Sequence, residues 1–167
     1  MKRIIALLLL TALLLCGCAF RGSDEDTVTF YYLRGEIQYG SDDGVIVPEK
    51  REPAVTGGDL SYLLSLYLKG PTDVALKLPL PAGTRLTEVQ SEGTAVTLTF
   101  SQELARLEGM DLSIACACIS YTCFSLTEAE TVTILTLSDD GETPISVTVT
   151  RESFLLYDDT TREADAS

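Results

Sequence analysis

The stretch "IACACISYTC", Ile114 to Cys123, puts three cysteines in an apolar run of a chain with no histidine and no tryptophan. Leu112, Cys116, Ile119, Cys123 and Leu126 recur at spacings of 4, 3, 4 and 3, which is one face of an α-helix. The spacing predicts a helix to Leu126, with Asp111 as its cap. That helix limits what the thiols can do. Cys116 and Cys123 would lie about 10.5 Å apart along the axis, at a rise of about 1.5 Å per residue. A disulfide needs Cα atoms closer than about 7 Å. One zinc ion, with Zn–S bonds of about 2.3 Å, could not span the gap. Cys118 falls about 200° around the axis from Cys116. The three are therefore expected to be packed small apolar residues, free cysteine being among the most buried side chains. As a strand the run would place Cys116 and Cys118 on one face, but it is too long for a typical strand. As a membrane span it contains Ser113, Ser120, Thr122 and Ser125, and falls short of about 18 unbroken apolar residues.

The N-terminus is not part of the fold. "MKRIIALLLLTALLLCGC" has a basic start at Lys2 and Arg3, an apolar run from Ile4 to Leu15, then small residues. A span needs about 20 apolar residues, so this reads as a signal peptide over 1–17. Leu15-Cys16-Gly17-Cys18 resembles a bacterial lipobox, in which Cys18 receives the lipid and becomes the first mature residue. The competing reading is an ordinary secretory peptide cut elsewhere, or an uncleaved anchor. The lipobox places the chain on the outer face of a bacterial plasma membrane, held by acyl chains of the palmitate type. Residues 18–26 read as an acidic tether, 27–157 as one compact domain, and 158–167 as a disordered acidic tail. Loss of Lys2 and Arg3 leaves ten of the twelve basic residues against 25 acidic ones, a mature net charge of −15. Nucleic acid and anionic lipid repel such a surface, which favours a protein partner or a cationic ligand. Solubility alone also explains the charge.

Local pattern sets the element order. "TVTFYYL" puts Val28, Phe30 and Tyr32 on one face of a strand. After the turn "YGSDDG", "VIVPEKREPAV" is extended, and Pro48 and Pro53 make it an edge strand or a bent one. "GGDLSYLLSLYLKGP" is a helix with Asp59 as N-cap, a stripe of Leu60, Leu63, Leu64, Tyr67 and Leu68, Gly70 for the left-handed C-terminus and Pro71 as stop. "PTDVALKLPLPAG" reads as a loop. "TRLTEVQ" and "TAVTLTF" flank "SEG" as a hairpin. The cysteine helix follows, then the strands "TVTILTL" and "ISVTV" around "SDDGETP"; "SFLLY" closes the ordered part. The fold class expected is α+β: two helices packed on a mostly antiparallel or mixed sheet.

Catalysis finds little support. Without histidine there is no Ser–His or Cys–His pair. Paired carboxylates could serve a glycosidase, but Asp42-Asp43-Gly44 and Asp139-Asp140-Gly141 sit where hairpin turns favour Asp and Gly. They also lack the alternating ligands of a calcium loop. No cofactor and no metal site is expected.

Three stretches together resemble the GerM domain family, the sporulation and spore-germination module. "VIVPEKREP" is similar to its second strand with a "P-E-x-R" ending, at Pro48, Glu49 and Arg51. "LLSLYLKGP" is similar to its first helix and Gly-Pro stop, at Leu66 to Pro71. "LPAGTRLTEVQSEGTAVTLTFSQEL" is similar to its Pro-x-Gly-Thr-x-Leu strand and hairpin, at Pro81, Gly83, Thr84 and Leu86, with Ser101 near its end. The resemblance implies an extracytoplasmic, lipid-anchored binding or scaffold module that is not an enzyme, with a fold similar to ring-building modules. Some family members carry two copies, and this chain has one. The implied partner is an envelope protein or a second copy of the chain. Val45 and Val47 on the edge strand, with Tyr31 and Tyr32 as exposed aromatics, are the expected contact residues. Two alternatives stand: a cell-wall glycan or peptide ligand-binding module using Tyr31, Tyr32 or Tyr67 in a cleft, and a carboxylate-based wall hydrolase.

Overall fold

The structure, a computed structural model, describes residues 27–36, 44–52, 59–137, 141 and 143–152. The leader with Cys18, the tether, the acidic pairs Asp42-Asp43 and Asp139-Asp140, Pro53, "SFLLY" and the tail lie outside the described residues. The elements run β1 (Val28–Arg34), β2 (Ile46–Arg51), α1 (Leu60–Tyr67), β3 (Leu76–Lys77), β4 (Leu86–Glu92), β5 (Ala95–Phe100), a 3-10 helix (Gln102–Arg106), α2 (Gly109–Leu126), β6 (Thr131–Leu137) and β7 (Pro144–Thr150).

The fold is α+β, as its local patterns predict, but its strands form two sheets. One has the order β2-β1-β3, all antiparallel; the other is β4-β5-β6-β7. The β5–β6 pair is parallel and its neighbours antiparallel. A parallel pair needs a crossover rather than a tight turn, and α2 lies in that connection.

Local chemistry accounts for most element ends. The Asp59 carboxylate accepts from the Tyr62 N–H at 2.7 Å and caps α1. Gly70 takes φ +89°, a left-handed conformation open to glycine, and Pro71 follows. The β4–β5 hairpin turns at Gly93, φ +60°, with Glu92 opposite Ala95. The short β3 and the 3-10 helix occupy segments whose sequence shows no periodicity. At α2 the expected cap is corrected: Glu108 is the N-cap and makes no side-chain cap bond, while Asp111 sits in the first turn. There its charge still favours the positive end of the helix dipole.

The α2 helix is buried on more than the one predicted stripe. Ala115, Cys116, Cys118, Ile119, Ser120, Thr122 and Cys123 are all buried, because the helix contacts β1, β6, β7 and α1. Two of its hydroxyls complete the edge of β1. The Tyr31 N–H donates to Thr122 Oγ1 at 2.9 Å, and Ser125 Oγ donates to the Thr29 carbonyl at 2.5 Å. The strand β3 pairs only with Leu33 and Arg34, so these bonds satisfy backbone groups that a third strand would otherwise take. Among the described residues α2 is the one helix long and apolar enough to cross a membrane. Here it is the core helix. The core joins Phe30, Tyr32, Leu64, Tyr67, Leu98, Leu104, Ile119, Cys123, Val132 and Ile134. Each large apolar side chain so buried contributes about 1.5–3 kcal/mol, which outweighs the marginal intrinsic stability of a helix as short as α1.

Candidate functional site

Among the described residues the strand β2 lies at the edge of its sheet, where Pro48 places it. Backbone parity tells which of its groups face out. The Arg34 N–H donates to the Val45 carbonyl at 2.9 Å, in register with the β1–β2 ladder. Antiparallel pairs alternate, so Tyr31–Pro48 is a pair without mutual bonds, in accord with the Tyr31 N–H bonding Thr122 instead. The backbone at Ile46, Pro48 and Lys50 therefore points away from β1. Pro48 costs the ladder nothing there, and it removes a donor that an incoming strand would need.

The alternate residues of β2 turn inward. Glu49 is 9% exposed, on the same face as Phe30. Its Oε1 accepts from the Thr72 N–H at 2.8 Å, the Thr72 hydroxyl at 2.7 Å and the Asp73 N–H at 2.8 Å. Its Oε2 accepts from Arg51 Nε at 2.7 Å and from Arg51 Nη2. Arg51 Nη2 also donates to the Gly70 carbonyl at 2.7 Å and the Tyr32 hydroxyl at 3.1 Å. The guanidinium lies over the rings of Phe30 and Tyr32 at 5.2 and 5.4 Å. Burial by itself would raise the Glu49 pKa; the bonds from Thr72, Asp73 and Arg51 together outweigh it and hold the carboxyl below its ordinary value. An ionised carboxylate with both oxygens occupied is a poor general base. This cluster is a lock, joining the edge strand to the turn Gly70–Asp73 that ends α1. Two of the sequence stretches that resemble the GerM family, "P-E-x-R" and the Gly-Pro stop, thus meet in space.

The expected contact residues fall in different places. Val47 pairs with Tyr32 and packs against the core, and Val45 is half-buried. The outward positions of β2 are Pro48 and Lys50, both exposed, with half-buried Ile46. Tyr32 is corrected from an exposed aromatic to a fully buried one, stacked on Tyr67 with ring centroids 4.9 Å apart. Its hydroxyl donates to the Tyr67 carbonyl at 3.1 Å. Tyr67 is buried too, so no surface cleft is built from this pair. Tyr31 is half-buried and packs on Tyr121 of α2 at 5.2 Å.

The cysteines behave as packed apolar groups. Cys116, Cys118 and Cys123 are buried and carry no disulfide. Burial pushes their thiols up to about 11, 12 and 11, far from the thiolate form a nucleophile needs. Among the described residues no group of His, Cys, Asp and Glu could hold a metal ion.

Arg151 escapes sequence reasoning, since nothing local marks it. Its Nε donates to the Ala129 carbonyl at 2.8 Å, and its Nη2 to the carbonyls of Phe124 at 2.9 Å and Thr127 at 2.8 Å. It thereby closes the C-terminal end of α2, where a cation is favoured. Beside it, Glu130 and Glu152 border one shallow depression, and both are exposed.

No protein-family model matches the sequence, and no curated protein matches it. Solved structures do share its fold. The first GerMN domain of the sporulation protein GerM from Bacillus subtilis aligns over 75% of this chain and 98% of its own, at 17% identity and a TM-score of 0.52. The tandem GerMN domains of the same protein align over 72% of this chain at 19% identity and a TM-score of 0.50. The chain spans 44% of that tandem structure. The chain therefore shares the fold of a GerMN domain.

Proposed function

We propose that this chain is a non-enzymatic interaction or scaffold module, anchored by lipid at Cys18 to the outer face of a bacterial plasma membrane and serving sporulation or spore-germination envelope assembly. The observation that carries the reading is the lock: among the described residues the Glu49–Arg51 pair lies largely inside the fold, with both Glu49 oxygens occupied by Thr72, Asp73 and Arg51, and Arg51 also held by Gly70 and Tyr32. Buried, protonated thiols and the absence of histidine from the chain point the same way. The likeness to GerMN domains of a sporulation protein, and the lipobox-like leader, support the location and the process.

One observation favours a second reading. Tyr31 and Tyr121 form a half-buried aromatic pair that could stack on a wall sugar. A third, hydrolytic reading would draw on Glu130 and Glu152 in their shallow depression.

The test is to incubate the purified full chain with cell-wall sacculi and analyse the products. The module reading expects no released muropeptides and no sedimentation with sacculi. Release abolished by Glu130→Gln or Glu152→Gln establishes the hydrolase instead, and co-sedimentation lost in Tyr31→Ala establishes wall binding. For the anchor, Cys18→Ala is expected to remain unprocessed or leave the membrane fraction. Wild-type protein with a free N-terminus beyond Cys18 refutes it.

A further inference from the structure

The described sheet edges are not treated alike. On β2, Pro48 and Lys50 stand on the outward positions. The strand β3 is two residues long. The strand β4 carries exposed Glu88 and Glu92, and its register shifts between Leu86 and Glu88. Each is a recognised way to discourage strand addition. The strand β7, "PISVTVT", has none of them beyond Pro144 at its start. It runs seven residues in unbroken register along β6, has no charged residue, and alternates half-buried Ile145, Val147 and Val149 with exposed Ser146, Thr148 and Thr150. Among the described residues no strand pairs with its outer side.

Parity shows what that side offers. The Arg151 N–H donates to the Glu130 carbonyl at 2.8 Å, in register with the β6–β7 ladder. Ile145, Val147 and Val149 therefore bond to β6, and the N–H and C=O of Ser146 and Thr148 point outward. From this geometry we infer that β7 is a self-pairing edge, joining two copies of the chain antiparallel about a two-fold axis at Val147. In that register Ser146 meets Thr148 of the second copy, and Thr148 meets its Ser146. Both pairs exchange backbone bonds. Ile145 meets Val149 on the core face, extending one apolar row across both sheets. Charge selects this edge. The whole chain carries −13, so two copies repel unless they meet where no charge lies. Self-pairing along β4 would bring Glu88 and Glu92 toward their own copies, whereas β7 brings only hydroxyls and aliphatics together.

The inference rests on the interaction-module reading and names its partner, a second copy. The full chain in detergent micelles is followed by sedimentation equilibrium at rising protein concentration, alongside hydrogen exchange. The expected result is a dimer, with the Ser146 and Thr148 amides gaining protection as it forms. Thr148→Pro removes an outward N–H without touching the β6 ladder, as Pro48 does in β2. Ser146→Glu adds to the edge the negative charge that two acidic copies cannot bring together. Both are expected to sediment as monomers with an unchanged circular dichroism spectrum. If Thr148→Pro loses its fold, Ser146→Glu decides alone. A wild type that stays monomeric overturns the inference, including one whose edge is taken by a strand of another protein. So does a dimer that Ser146→Glu leaves intact. Neither result changes the sacculus assay, which tests the module reading separately.

Discussion

Replacing Glu49 with glutamine keeps the shape of the side chain and removes its charge. In the native fold the carboxylate receives three donors from Thr72 and Asp73 and two from Arg51. Glutamine can still accept at one oxygen, but its NH2 group then faces the guanidinium, donor against donor. Breaking a buried pair by removing one partner costs about 3–5 kcal/mol when the remaining charge is fully enclosed. Arg51 is 16% exposed and keeps its bonds to Tyr32 and Gly70, so water and those partners offset part of the loss. We expect Glu49→Gln to cost about 2–3 kcal/mol, as charge-assisted bonds of this kind contribute. At about 3 °C per kcal/mol for a domain of this size, that lowers Tm by about 6–9 °C. The assay is thermal and urea unfolding of the full chain, read by circular dichroism. A double-mutant cycle with Arg51→Met should return about 1–3 kcal/mol of coupling. The folded pKa of Glu49 lies below its ordinary value of 4.5. Its contribution is therefore complete above that value and fades as pH falls through the lower folded one, so wild type and Glu49→Gln should converge in acid. A Glu49→Gln variant within about 0.5 kcal/mol of wild type at neutral pH, the range of an ordinary surface substitution, refutes the lock.

Two further outcomes follow from the core. Cys→Ala at Cys116, Cys118 or Cys123 should cost on the order of 1 kcal/mol and leave metal content unchanged. Labelling followed by peptide mass spectrometry should find these thiols unreactive in the folded chain at neutral pH; stoichiometric zinc lost in the Cys116 or Cys118 variant contradicts this. Thr122→Val keeps the volume but strands the Tyr31 N–H, so it should destabilise by about 1–3 kcal/mol and increase exchange at that amide; an unchanged exchange rate there shows that the hydroxyl does not complete the β1 edge.

The candidate surface was only half legible. Prolines in "VIVPEKREP" mark an edge strand because proline's missing N–H is a local property. Which valines point outward is not local. Strand parity depends on how β1 registers against β2, and that register turns Val47 inward and Pro48 and Lys50 outward. Tyr31 and Tyr32 look alike in sequence, yet α2 packs beside one and the core encloses the other.

By itself the sequence determined the elements whose causes lie within a few residues: α1 between Asp59 and Gly70, the hairpin around Gly93, the alternating strands β5 and β6, and the helical spacing of the cysteines. It also determined that a chain without histidine has no histidine-dependent chemistry. Only the tertiary structure decided the division into two sheets, the parallel β5–β6 pairing and the burial of α2 on several faces. It alone brought Glu49 to Thr72, Thr122 to Tyr31 and Arg151 to the end of α2. Those contacts join residues 23, 91 and 22 to 27 positions apart. Propensity and periodicity act over one or two turns. A hydrogen bond across such separations exists only after the intervening loops close, at an entropic cost that the assembled core offsets.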